Sequence, residues 1–197
     1  MKAILEKLVS LLKADPVLNS ATKGLPYIAY RDLTNFAMNN IYYLQNLKQF
    51  PAIVLDGNSS RIEPFTFAGH NEAPAGFSGG ASMRGGSEQV KEVMKIEAII
   101  VTAYMGKDNE AFHASLAGTE RIWGLYELEN AFRSVIWNNK KLKDDNNNLI
   151  TTGQNPIYNT SRRTYMTGGG NNAATFMSGL NILFEYYRVR AYNYHEG

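Results

Sequence analysis

Hydrophobic positions recur along the chain with two different periods, and the period sets each element. Ile4, Leu5, Leu8, Leu11 and Leu12 recur at spacings of three and four, with Lys2, Glu6, Lys7 and Lys13 between them. That pattern predicts an amphipathic helix over 2–14, ended by Asp15-Pro16 because the residue before a proline is pushed out of the helical region. Residues 19–49 show no sustained period. Gly24 and Pro26 punctuate them, and the reading is irregular chain with room for one short helix around Ile41 to Leu47. Phe50-Pro51-Ala52-Ile53-Val54-Leu55 reads as a short strand left through a turn at Asp56-Gly57-Asn58, with Arg61 to Phe67 as its hairpin partner.

Residues 68–87 are rich in glycine, serine and alanine and carry almost no large apolar group. Such a segment buries too little surface to offset its ordering entropy, so it is expected to be a long flexible arm, ordered by a neighbour. A period of two follows: Ile96, Ala98, Ile100, Thr102 and Tyr104 alternate with Lys95 and Glu97, the signature of a half-buried strand closed by Gly106-Lys107-Asp108-Asn109. The helical period returns at Phe112 and Leu116, then at Ile122, Leu125, Leu128, Phe132, Val135 and Ile136, with Asp108 or Asn109 as N-cap. Glycine costs about 1 kcal/mol relative to alanine inside a helix, so Gly118 predicts two helices or one bent helix. After Lys140-Lys141 and the polar turn Asp144 to Asn148, strands Ile157–Met166 and Thr175–Tyr192 are expected to pair through a Gly/Asn turn. Leu180, Ile182, Phe184 and Tyr186 share one face of the second strand.

The class that follows is α+β: a mostly antiparallel sheet with helices packed on one face and a long Gly-rich loop insertion, forming one domain over 1–197. Composition agrees with a folded chain, since hydrophobic types reach 44% and aromatics 12%. No apolar run approaches the roughly 18 residues of a membrane span, and the charged start has no signal-peptide core, which predicts a cytosol-like site of synthesis.

The candidate chemistry is sparse. The absence of cysteine excludes disulfides, thiolate metal sites and Cys nucleophiles. A net charge of +2 provides no field that would predict nucleic-acid binding, and charged residues are 19% against an ordinary value of about 25%. Uncharged polar groups must then supply the surface, which suits extensive protein contacts because burying them requires no ion desolvation. Gly76-Phe77-Ser78-Gly79-Gly80 fits the pattern of a hydrolase nucleophile elbow, yet no strand precedes it and no helix follows. A small serine hydrolase using Ser78 with His70 or His113 is therefore the alternative of a different class. Glu110 and His113 lie one helical turn apart but form a single pair where a di-metal site needs two. In Asp144 to Asn155 the calcium-loop positions for glycine and glutamate hold Leu149 and Asn155, so a solvated turn is expected. Neither glycine-rich stretch carries a phosphate-binding fingerprint, and no cofactor or metal is expected. Arg162, Arg163, Arg188 and Arg190 are expected on the two C-terminal strands, near enough to approach one another across the hairpin, and are read first as edge-strand charges or partners for carboxylates.

The ordered set of elements resembles the tail terminator (tail completion) proteins of long-tailed bacteriophages. The residues that carry the resemblance are the helix Ile4 to Leu12, the strand Phe50 to Leu55, the long strand Val93 to Tyr104, the helix around Leu125 to Phe132 and the closing strand Leu180 to Val189. The resemblance implies a non-enzymatic virion protein of the tail–neck junction, a hexameric ring that caps the tail tube and joins it to the neck and head connector. It further implies contacts with the tube protein and neck or head-completion proteins, with sheath protein as a further candidate, and genomic DNA passing through the lumen without specific binding. Another neck or tube ring protein is the nearest alternative. The subunit and partner contacts expected on this reading are Phe77, Met83 and Arg84 of the Gly-rich arm and Arg162 and Arg163 of the penultimate strand.

Overall fold

The computed structural model describes residues 1–31, 50–64, 87–106, 109–167 and 174–193. Its helices are α1 (Lys2–Ala14), α2 (Asn109–Ala117) and α3 (Leu125–Asn138); its strands are β1 (Tyr27–Tyr30), β2 (Ala52–Pro64), β3 (Ser87–Gly106), β4 (Gly153–Thr167) and β5 (Ala174–Asn193). The described strands form one sheet in the order β1-β2-β3-β5-β4, in which β1 and β2 run parallel and every other pairing is antiparallel. Strands β3 and β5 pair through their full 20 residues, a ladder on the order of 66 Å long. The fold is thus α+β and mostly antiparallel, as the periodicities predict.

One face of the sheet carries the helices, and the alternation along each strand decides which residues meet them. Ile53 and Leu55 of β2, Met94, Ile96, Ala98 and Ile100 of β3 and Leu180, Ile182, Phe184 and Tyr186 of β5 form a single core with Leu8 and Leu12 of α1 and Leu128, Phe132, Val135 and Ile136 of α3. Edge-on aromatic contacts run through its centre, from Phe132 to Phe184 (5.8 Å) and from Phe184 to Tyr186 (6.0 Å). The Tyr186 hydroxyl donates to the Asn139 carbonyl at 2.8 Å, and burial pushes its pKa well above the ordinary phenol value. The opposite face carries a smaller cluster of Val54, Ile99 and Val101, so the middle of β3 is apolar on both sides.

Several local expectations are corrected. The Asp56-Gly57-Asn58 signal does not end β2. The strand runs on to Pro64, and Asn58 is absorbed where the register against β3 shifts between Gly57 and Ser59. Residues 61–64 therefore continue the strand that they were expected to face as a hairpin partner, because β3 is long enough to offer a ladder to both halves. Gly57 serves close packing there: a Cβ would lie 2.5 Å from Met1 Cγ. The segment read as irregular contains β1, a four-residue strand too short for a periodic signal, and its residues 32–49 lie outside the described residues. Ser87, assigned to the flexible arm, opens β3, and 68–86 lie outside the described residues. Asn109 is the first residue of α2, not its cap.

Two glycines join α2 to α3. Gly118 has φ +81° and turns the chain out of α2. Gly124 precedes α3, where the Glu127 carboxylate accepts its N–H at 3.0 Å and Lys23 Nζ reaches both Glu127 oxygens at 2.7 Å. Trp123 Nε1 donates to the Gly24 carbonyl at 2.8 Å, so the turn after α1 is fastened to the start of α3. The Tyr104 hydroxyl donates to the Trp123 carbonyl, which ties β3 to the same point.

A buried carboxylate links three strands. Glu185 of β5 takes Arg61 Nη1 of β2 at 2.8 Å and Asn155 Nδ2 of β4 at 2.8 Å. Burial alone would raise its pKa, but these hydrogen bonds outweigh burial and hold it below the ordinary carboxylate value. A depressed folded pKa gives stability that is present above the unfolded value of about 4.3 and is lost as pH falls through the folded one. The melting-temperature difference between wild type and Glu185→Gln is therefore expected to be present at pH 7 and to shrink below about pH 4. A pH-independent difference would show that the carboxylate's charge is not what holds the strands.

Candidate functional site

The sites expected in the sequence separate into those the structure places and those it does not describe. Phe77, Met83 and Arg84, with Ser78 and His70, lie outside the described residues. His113 is exposed on α2, edge-on to Phe112 at 6.2 Å. No group of three or more His, Asp or Glu among the described residues is arranged to hold a metal ion. Asp144 closes a polar turn, its carboxylate accepting the Asn148 side chain (3.1 Å) and the Asn148 and Asn146 N–H groups (2.7 and 3.0 Å), which hold its pKa below the ordinary value. That is the solvated turn the spacing predicts.

Arg162 and Arg163 lie in β4, opposite Leu180 and Gly179 of β5. The expected approach of Arg162 to Arg188 across the hairpin does not occur. Arg188 falls beyond Gly153, which pairs with Tyr187 at the end of β4, and it bonds Glu92 of β3 at 2.7 Å instead. Arg162 turns toward α3, as its place two residues from Thr160 on the helix-side face requires.

There a seam forms between α3 and β4. Glu129, only 7% exposed, accepts Arg133 Nε at 3.0 Å and Arg162 Nη2 at 3.1 Å, while Arg133 Nη2 also donates to Thr160 Oγ1 at 2.8 Å. The Arg162 guanidinium lies 4.9 Å from the centre of the Tyr126 ring. Further along, Lys140 Nζ sits 4.0 Å over the ring of Trp137, which is 62% exposed. Beside it a hollow of about 110 Å³ is lined by Ile136, Trp137, Lys140, Gln154, Asn155 and Ile157. Tyr126, Asn130, Arg133 and Trp137 follow one another at four, three and four residues, so the helix period lines them up along β4, and Lys140 follows just past the end of α3 at Asn138. Three cations, two aromatic rings and one buried carboxylate thus share a strip whose helical part, from Tyr126 to Trp137, is about 17 Å long.

The strip borders the edge of the described sheet. Among the described residues β4 pairs only with β5, and the pairing is regular from Asn159 to Thr167 after a break between Asn155 and Asn159. Of the strip's residues only Arg162 is expected from sequence. Trp137 carries a usable signal, being a large apolar residue that falls outside the stripe Leu125, Leu128, Phe132, Val135 and Ile136. Glu129 carries none, because its second arginine is distant in sequence and only the sheet order brings it near.

Compared with known protein families and with curated proteins, the sequence matches none. No helix among the described residues is long and apolar enough to cross a membrane.

Proposed function

We propose that the chain is a structural subunit of a bacteriophage virion that forms a ring at the tail–neck junction, caps the tail tube and joins it to the head connector. The observation that carries this reading is the order of elements: an amphipathic helix, a strand entered through Phe50-Pro51, a long central strand, a helix pair, and two strands closing a mostly antiparallel sheet with all described helices on one face. The resemblance to tail terminator proteins rests on these same segments. The edge of β4, which no other described strand pairs, supports it further, since head-to-tail rings need a surface on each subunit that its own fold leaves unpaired. On this reading the tube and neck proteins are the partners, DNA passes through the lumen without specific contacts, and the subunit has no catalytic role.

Negative-stain imaging of the concentrated protein, alone and mixed with purified tail tubes, tests it. Annular particles with six-fold symmetry and an open lumen, free or seated on a tube end, are the expected result. Uniform monomers in both samples would overturn it.

A further inference from the structure

The seam between α3 and β4 is built beyond what the fold needs. A surface helix packs as well with lysines and glutamates on its outer stripe, whereas this one displays Tyr126, Arg133 and Trp137, the residue types that dominate binding hot spots. The cations are fixed in advance: Glu129 holds both arginines, Tyr126 lies under Arg162, and Trp137 lies under Lys140. Side chains ordered before a partner arrives lose less entropy when it binds. They are also not used up, since Arg162 engages only one of its three nitrogens in a hydrogen bond, and Arg162 remains 55% exposed on its side chain.

We propose that this seam docks an extended acidic segment of a partner protein, laid along the edge of β4 that no other described strand pairs. Three cations against one carboxylate leave the strip with an excess of two positive charges, which selects a negatively charged occupant. Backbone N–H and C=O groups on the side of 159–167 away from β5 offer a ladder to an added strand. Alternate side chains of that strand would face α3, and Thr160 and Arg162, two residues apart, set the same repeat of about 6.6 Å. Of these α3-facing positions, those beside the arginines take acidic residues and the one beside Trp137 and the hollow at Ile157 takes an apolar residue. A nucleic-acid strand fits less well, because the Glu129 carboxylate sits among the cations and the chain's net charge of +2 gives little long-range attraction. The proposal concerns any protein partner and does not depend on the tail-junction reading.

The probe is a fluorescein-labelled peptide of about eight residues that carries glutamate at successive alternate positions and valine at the last of them, with threonine between, titrated with the full chain by fluorescence anisotropy. Saturable binding that weakens with added salt is expected, and the doubly substituted Arg133→Gln, Arg162→Gln chain is expected to bind about tenfold or more weakly. Because that variant leaves Glu129 buried without its partners, Trp137→Ala provides an independent arm: it leaves both ion pairs in place and is expected to weaken binding with an unchanged melting temperature. The proposal is overturned by absence of saturable binding, by wild-type affinity in either variant, by equal binding of the same peptide with lysine in place of glutamate, or by tighter binding of oligo-dT of similar length. It is also overturned if the only effect of the arginine substitutions is self-association, which would make those arginines guards of the strand edge. None of these results bears on ring formation, which imaging decides separately.

Discussion

Phe132→Asp is expected to leave no folded protein. Phe132 is fully buried between α3 and the sheet, edge-on to Phe184, and no cation among its core neighbours can pair with a carboxylate placed there. Removing the ring alone costs about 3–5 kcal/mol. The new carboxyl must in addition either be buried charged or take up a proton at a neutral pH that opposes it, which adds several kcal/mol. Together these approach the whole stability of an ordinary domain, about 5–15 kcal/mol. Circular dichroism and thermal melting of the purified variant would show loss of the cooperative transition. A melting temperature near that of wild type would mean that position 132 does not face the sheet.

The second large effect is expected from a single methyl group. At Gly124 a Cβ would lie 2.2 Å from Gly118 N and 2.3 Å from Ala117 C, so the clash is with backbone and no side-chain rotation relieves it. The end of α2 and the start of α3 must then separate, and the Glu127 carboxylate that fastens Lys23 and the Gly124 N–H moves with them. A loss of about 3 kcal/mol is expected for Gly124→Ala, roughly 6–12 °C in melting temperature for a chain of this size. Gly24→Ala is the control. Gly24 has positive φ but open space around its Cβ position, so only the left-handed backbone strain of about 1 kcal/mol should appear. Equal effects at the two positions would show that the α2–α3 junction is looser than the structure has it.

What could be read from sequence, and what could not, follows from the range of the interactions involved. The helices α1 and α3 were legible because their apolar stripes repeat within a few residues, and β5 because Leu180, Ile182, Phe184 and Tyr186 alternate strictly. The Asp56-Gly57-Asn58 signal was misleading for a tertiary reason: the same residues make a turn in isolation and a bulge when a long neighbouring strand is present to continue the ladder. β1 gave no signal because four residues beside Pro26 hold only two repeats of the strand period, and of the four only Ile28 is fully buried. At the candidate site, Arg162 was visible as a charge on a strand. Its partners were not, since Glu129 and Tyr126 reach it only through the placing of α3 over β5 and β4.

The β3–β5 ladder also has a consequence for how the chain reaches its fold. Its nearest paired residues are Gly106 and Ala174 and its farthest are Ser87 and Asn193, so the centre of the sheet joins segments separated by both later helices and β4. During synthesis β5 leaves the ribosome after every other described element, and until then β3 has β2 on one side only. Its middle, apolar on both faces, is exposed for that interval, and pairings over such sequence separations form slowly. The nascent chain is therefore expected to need protection by a chaperone until β5 arrives, so that its yield in cells is set by the kinetics of folding and only secondarily by the stability of the finished fold.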